Sequence, residues 1–162
     1  MAKGVKNLAA READVAIRLT LAPPEYLIGK KIANIQHGIY APVELDFTKQ
    51  IPVILWSNET GIPAWVQQHY PEAKIAMRVD DLYSMYAALE AGVGIARMPC
   101  YLPDIVSDAS VKRLKIIVPL SQWSLWVLSH VDLRNMAKVR CCREFLAERL
   151  LLQKPLFEGQ ES

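Results

Sequence analysis

Apolar residues in this chain follow two alternating rhythms. "DVAIRL" (Asp14–Leu19), "IANIQHGIYA" (Ile32–Ala41) and "PVILW" (Pro52–Trp56) are short apolar runs rich in β-branched side chains, which predicts three strands. Pro23-Pro24 hold a loop after the first, because neither residue has an N–H and both have a locked φ. Ser57-Asn58-Glu59-Thr60-Gly61 end the third run in small polar side chains suited to a turn and a helix cap. A helix over "IPAWVQQHY" (Ile62–Tyr70) follows, with Pro63 in its first turn and Pro71 at its end. "AKIAMRV" (Ala73–Val79) returns to the strand pattern.

The clearest helical stripe comes next. In "DDLYSMYAALEAG", Leu82, Met85, Tyr86 and Leu89 stand at i, i+3, i+4 and i+7, with Asp80-Asp81 to cap the helix and Gly92 to close it. "VGIARMP" (Val93–Pro99) reads as a brief buried strand stopped by Pro99, and "VKRLKIIV" and "SLWVLSHV" as two more. A last helix from Asn135 to about Gln153 turns Val139, Cys142, Phe145, Leu146 and Leu150 inward, ahead of a fraying tail "KPLFEGQES". Strands alternating with helices predict an α/β fold with a mixed or mostly parallel sheet flanked by helices.

Composition narrows the function classes. The 162 residues suffice for one sizeable core or two small subdomains, and 52% apolar against 22% charged residues is a globular balance. A net charge of +2 with scattered Lys and Arg leaves no footprint for a nucleic-acid backbone. No apolar run approaches the roughly 20 residues a bilayer needs, and Arg11, Glu12 and Asp14 interrupt any signal-like segment, so no membrane association and a cytoplasmic location are expected. Cys100, Cys141 and Cys142 form neither a CxxC pair nor a disulfide framework. His37, His69 and His130 lie on separate elements without metal-ligand spacing, no GxSxG elbow occurs, and Ser57 has no visible base. No catalytic residue, metal or cofactor is expected. Arg140 and Arg143 flank Cys141-Cys142 and could lower a thiol pKa, but one of that pair is expected to face the core.

"EAGVGIARMP" (Glu90–Pro99) invites comparison with a dinucleotide-binding loop. Such a loop lies between a strand and the helix that follows it, so that the helix N-terminus faces the phosphates. Here Gly92 and Gly94 follow a helix and precede a strand, and Arg97 stands where a third glycine would be. The reading that remains is a left-handed cap at Gly92 and a close helix-to-strand approach at Gly94.

The same segment, "DDLYSMYAALEAGVGIARMPCYLPD", resembles the helix, glycine cap and strand found late in the effector-binding domain of LysR-type transcriptional regulators, where an A-G-x-G-I-A-x-x-P pattern precedes a short helix. "READVAIRL", "LIGKKIANIQHGIYA" and the stretch from Val111 to Leu150 resemble further landmarks in family order, so the resemblance spans about Ala10 to Leu152. It implies a two-lobed, periplasmic-binding-protein-like (type 2) fold. Residues 1–19 would hold the last strand region of the first lobe, 20–131 the second lobe, 132–153 the helix returning to the first lobe, and 154–162 a tail. The winged helix-turn-helix and the opening elements of the first lobe are not matched, and Pro42–Ile51 is shorter than the helix-containing segment usual there. DNA contact would come only through a helix-turn-helix domain that this sequence does not contain.

The resemblance also places a site. In the family a small-molecule effector lies between the lobes, which by position singles out Leu19, Thr20, Ser57, Asn58, Glu59, Thr60, Arg78, Met98 and Pro99. A helix N-terminus after Thr60 and a bidentate Arg78 suit an anionic metabolite. Helix capping at Ser57–Thr60 and an Arg78 salt bridge to Glu59, Asp80 or Asp81 are the structural alternatives. Trp65, Val66, His69 and Tyr70 resemble the unit through which family members pair, so a homo-oligomer is expected; the competing role is to cover this chain's own sheet. The function implied is the effector-binding and dimerising portion of a LysR-type regulator. A stand-alone metabolite binder of the same fold, a regulator remnant, or a small enzyme using Cys141 or Ser57 are the alternatives.

Overall fold

The computed structural model describes residues 13–160, which divide into two compact units. One unit holds Gln36–Leu120; the other holds residues 13–35 and 121–160. The second lobe expected over 20–131 is narrower here, because the strands on either side of Gln36–Leu120 pair with one another instead.

In that flanking unit, β1 (Val15–Thr20) and β2 (Leu27–Asn34) both pair antiparallel with β8 (Ser124–His130), which lies between them. Leu128 and Leu27 are buried in its core, and Ser129 is buried with its hydroxyl accepting a 2.7 Å hydrogen bond from Arg143 Nη1. Arg143 belongs to α4 (Ala137–Leu151), whose buried residues are Val139 and Ala147. The inward stripe therefore differs from the expected one: Cys142 and Phe145 are exposed, and so is Cys141, so neither of the adjacent cysteines faces the core. The anchoring of Arg143 on Ser129 sets the rotation of the helix, a polar contact that apolar periodicity does not register. The tail forms one further turn, α5 (Lys154–Phe157), where fraying is expected.

The unit Gln36–Leu120 is a five-stranded mixed sheet. In chain order its elements are β3 (His37–Pro42), β4 (Pro52–Trp56), α1 (Ala64–His69), β5 (Lys74–Val79), α2 (Leu82–Glu90), β6 (Ile95–Pro99), α3 (Tyr101–Val106) and β7 (Val111–Arg113), and the strands lie side by side as β5-β4-β6-β3-β7. β4 runs parallel to β5 and β6, while β3 is antiparallel to β6 and β7. One face packs Ile39, Val53, Leu55 and Ile95 against Trp65 and Val66 of α1; the other packs Tyr40, Ile54, Ala96 and Met98 against Met85 and Leu89 of α2. The three central strands β4, β6 and β3 are buried on both faces, which explains their near-continuous apolar runs, whereas edge strand β5 is largely exposed.

The capping chemistry of α2 is as the sequence implies. Asp81 is its N-cap and accepts from Ser84 N at 2.8 Å. Gly92, at φ 82°, takes the left-handed conformation just past the helix end. Gly94 serves a different contact from the expected helix approach: a side chain there would collide with the Pro52 carbonyl at the start of β4, so its bareness lets two strands meet.

Three boundaries differ from the sequence reading. The apolar run Ile32–Ala41 is two strands, because Ile35 N bonds to Trp123 O while Gln36 O accepts from Cys100 N, and the two tie the chain to different sheets. The strand expected over Val111–Val118 ends at Arg113; Leu114 N makes a 2.7 Å bond to Ile39 O, and farther on Ile117 is 94% exposed. Pro63 is the N-cap of α1, in extended conformation, rather than a first-turn residue.

Candidate functional site

Because β4, β5 and β6 are parallel, their C-terminal ends open on one edge of the sheet, and antiparallel β3 begins there. In open α/β sheets this is the edge where backbone groups run out of ladder partners and ligands are bound. The residues gathered there are Trp56 and Glu59 from the end of β4 and its turn, Arg78 from β5, Arg97 from β6 and His37 from β3.

Hydrogen bonds fix the turn after β4. Glu59 folds back so that its Oε2 accepts from Trp56 N at 2.9 Å, and its own N donates to Trp56 O at 3.0 Å. Ser57 N donates to Val79 O at 2.7 Å, tying the turn to β5, and Trp56 Nε1 donates to Arg97 O at 3.2 Å, tying it to β6. Arg78 Nη1 donates to the Glu59 carbonyl at 2.5 Å. The turn is thus pinned from both sides.

Electrostatics here depart from a water-exposed surface. Burial lowers the pKa of half-buried Arg97, and the Glu59 carboxylate opposes that shift. His37 is pushed down to about 4, first by burial and then by the Arg97 cation, so its ring is neutral at pH 7. Its Nδ1 is buried without a hydrogen-bond partner. A neutral imidazole, two guanidiniums and one carboxylate can bind an anion and orient a neutral polar group; they do not form a nucleophile–base pair. Among the described residues no cluster of three or more His, Cys, Asp or Glu could hold a metal ion.

The residues expected from sequence separate into several groups. Glu59 and Arg78 are in this cluster, and Ser57, Asn58 and Thr60 are exposed on the adjoining turn. That turn does not cap α1, whose N-cap is Pro63, so no helix N-terminus follows Thr60 directly. Met98 is fully buried against the α2 side, and Pro99 is buried opposite His37 in the β3–β6 register, so Met98 offers nothing to a ligand. Leu19 and Thr20 end β1 in the other unit, where Thr20 Oγ1 donates to Ala22 O at 3.1 Å. Of the expected pairing residues, Trp65 and Val66 are core, Tyr70 packs against that core, and only His69 is exposed. Covering the chain's own sheet is the role the structure gives to the first three. His37 and Arg97 were not expected; the available signal was an arginine inside the apolar strand "GIARMP".

Comparison with known proteins bears on the family and the fold. Residues 2–151 match the family model described as the LysR substrate binding domain. The effector domain of the transcriptional regulator AmpR of Pseudomonas aeruginosa superposes with a TM-score of 0.69 at 17% identity, over 93% of this chain and 78% of that one. The regulatory domain of CrgA, a LysR-type regulator from Neisseria meningitidis, gives 0.70 at 15% identity, over 92% and 81%. The reduced OxyR regulatory domain from Pseudomonas aeruginosa gives 0.59 at 13%, over 90% and 75%. At these identities the likeness shows the fold alone. No curated protein matches the chain.

Proposed function

Since the chain belongs to the LysR substrate-binding domain family, we propose that it senses a small anionic metabolite at the edge where β4, β5 and β6 end. The observation that carries this reading is the meeting of Arg78, Arg97 and a neutral His37 at that edge, with Glu59 leaving one net positive charge. The activity is binding in the cytoplasm, without catalysis. Ligand that favours one conformation of the domain shifts a pre-existing equilibrium, and an attached DNA-binding domain would read that shift at a promoter.

A thermal-shift screen of the chain against carboxylates, amino acids and aromatic metabolites tests the proposal. One class of anion raises the melting temperature in a concentration-dependent way, by about 2.7 kcal/mol of stabilisation at a hundredfold excess over Kd. Arg78→Ala and Asn58→Ala abolish the rise. A folded chain that responds to no anion, or a response that survives both substitutions, refutes it.

Self-association is the second part of the proposal, through the face formed by α1 and the edge strand β5. Ile75 and Met77 of β5 and Ile62 just ahead of α1 are each about two-fifths exposed, and His69 of α1 is exposed. An unpaired strand edge flanked by apolar side chains favours pairing with another chain. Sedimentation across a concentration series shows a dimer that Met77→Asp dissociates; a monomer at every concentration refutes this part.

A further inference from the structure

The effector reading leaves open what distinguishes one anion from another, and two residues outside the expected site bear on that. β3 and β6 pair with His37 opposite Pro99 and Ile39 opposite Arg97. Side chains alternate along a strand, so His37 and Arg97 project from the same face of the sheet as diagonal neighbours, with backbones about 7–8 Å apart. Ile39, Val53 and Leu55 form the apolar core of that face.

The two groups have complementary chemistry. Arg97 is half-buried, and among the described residues its guanidinium has no hydrogen-bond partner; the indole of Trp56 instead holds its backbone carbonyl. Arg78 already gives one N–H to the Glu59 carbonyl, so Arg97 is the less committed cation. His37 has a buried Nδ1 without a partner, which costs free energy unless a polar atom meets it. A neutral imidazole offers one donor and one acceptor and adds no charge.

We infer that His37 and Arg97 together select a small monocarboxylate carrying a hydroxyl or oxo group on the carbon next to its carboxylate. Arg97 takes the carboxylate and His37 the neighbouring oxygen, a pairing of polar groups that a 2-hydroxy or 2-oxo acid satisfies and a bare fatty acid does not. Arg78 and Arg97 against Glu59 leave one net positive charge, which one carboxylate neutralises. A second carboxylate would face Glu59, and an ammonium would face two guanidiniums. The inference rests on the effector reading and narrows its ligand class.

The test uses the full chain and three probes of similar size: L-lactate, propionate and L-alanine. Affinities come from isothermal titration, and the His37 ring is followed by long-range proton–nitrogen NMR. L-lactate binds roughly tenfold more tightly than propionate or L-alanine and shifts the His37 ring resonances. His37→Phe brings lactate down to the level of propionate while leaving propionate unchanged, His37→Asn restores part of the preference, and Arg97→Gln weakens both acids about tenfold or more. Circular dichroism confirms that each variant is folded. A lactate preference that persists in His37→Phe, equal affinity for all three probes, or binding of none overturns the inference. None of those results decides the effector reading, whose own test is the broad screen with Arg78→Ala and Asn58→Ala.

Discussion

The burial of His37 makes the stability of the chain depend on pH in a calculable direction. Its pKa falls from 6.5 to about 4 on folding, with burial the larger cause and the Arg97 cation the smaller. Above pH 6.5 both folded and unfolded chains carry the neutral ring. Between 6.5 and 4 the unfolded chain binds a proton that the folded chain refuses, so stability is lost as pH falls through this window and the loss levels off below it. The loss from pH 7 to pH 5 is about 1.8 kcal/mol, approaching about 3.4 kcal/mol at lower pH. The assay is urea unfolding followed by tryptophan fluorescence at half-unit steps from pH 7.5 to 4.5, on the wild type and on His37→Gln. Shifts at other groups, such as the lowered carboxyls of Asp46 and Asp108 and the raised carboxyl of Glu90, occur in both proteins and cancel in the difference. The wild type loses stability faster than the variant on acidification. Parallel curves, within about 0.3 kcal/mol over the whole range, refute the claim that folding holds His37 neutral.

Other substitutions probe the scaffold that presents the site. Gly94→Val drives a branched side chain into the Pro52 carbonyl and lowers stability by about 1–3 kcal/mol or prevents folding, whereas Gly61→Val, with nothing near its missing Cβ, changes the urea midpoint little; equal effects would contradict the strand contact. Asp81→Ala removes the cap of α2 and costs about 1 kcal/mol in the same unfolding assay, and a neutral result would show that the Ser84 N bond contributes nothing. In the folded chain a thiol reagent modifies Cys141 and Cys142 quickly and leaves buried Cys100 until urea is added; rapid labelling of all three would contradict the packing of β6 and α3.

Local pattern carried much of the architecture. The stripe of α2, with Asp81 before it and Gly92 after it, states its type, its buried face and both its ends, because capping and 3.6-residue periodicity are properties of neighbouring residues. β4 is bounded in the sequence by Pro52 and by the polar turn after Trp56, and β6 by Pro99. Pattern failed where a non-local contact took over. Ile32–Ala41 is apolar throughout, yet Ile35 and Gln36 bond to different sheets. The rotation of α4 follows Arg143 bonding to Ser129, so Cys142 and Phe145 point away from the core their spacing suggested.

The site divides along the same line. Glu59 and Arg78 were legible because a polar turn and a strand-end arginine stand out against apolar neighbours. His37 and Arg97 were not, since 60 positions separate them in the chain and neither lies in a recognisable motif. The sequence by itself determined the family, the alternation of strands and helices, and the caps that end them, all written in residues a few positions apart. Only the tertiary structure decided which strand ends share an edge, because strand order and register are set by pairings between distant segments, and those pairings turn a histidine and an arginine into neighbours.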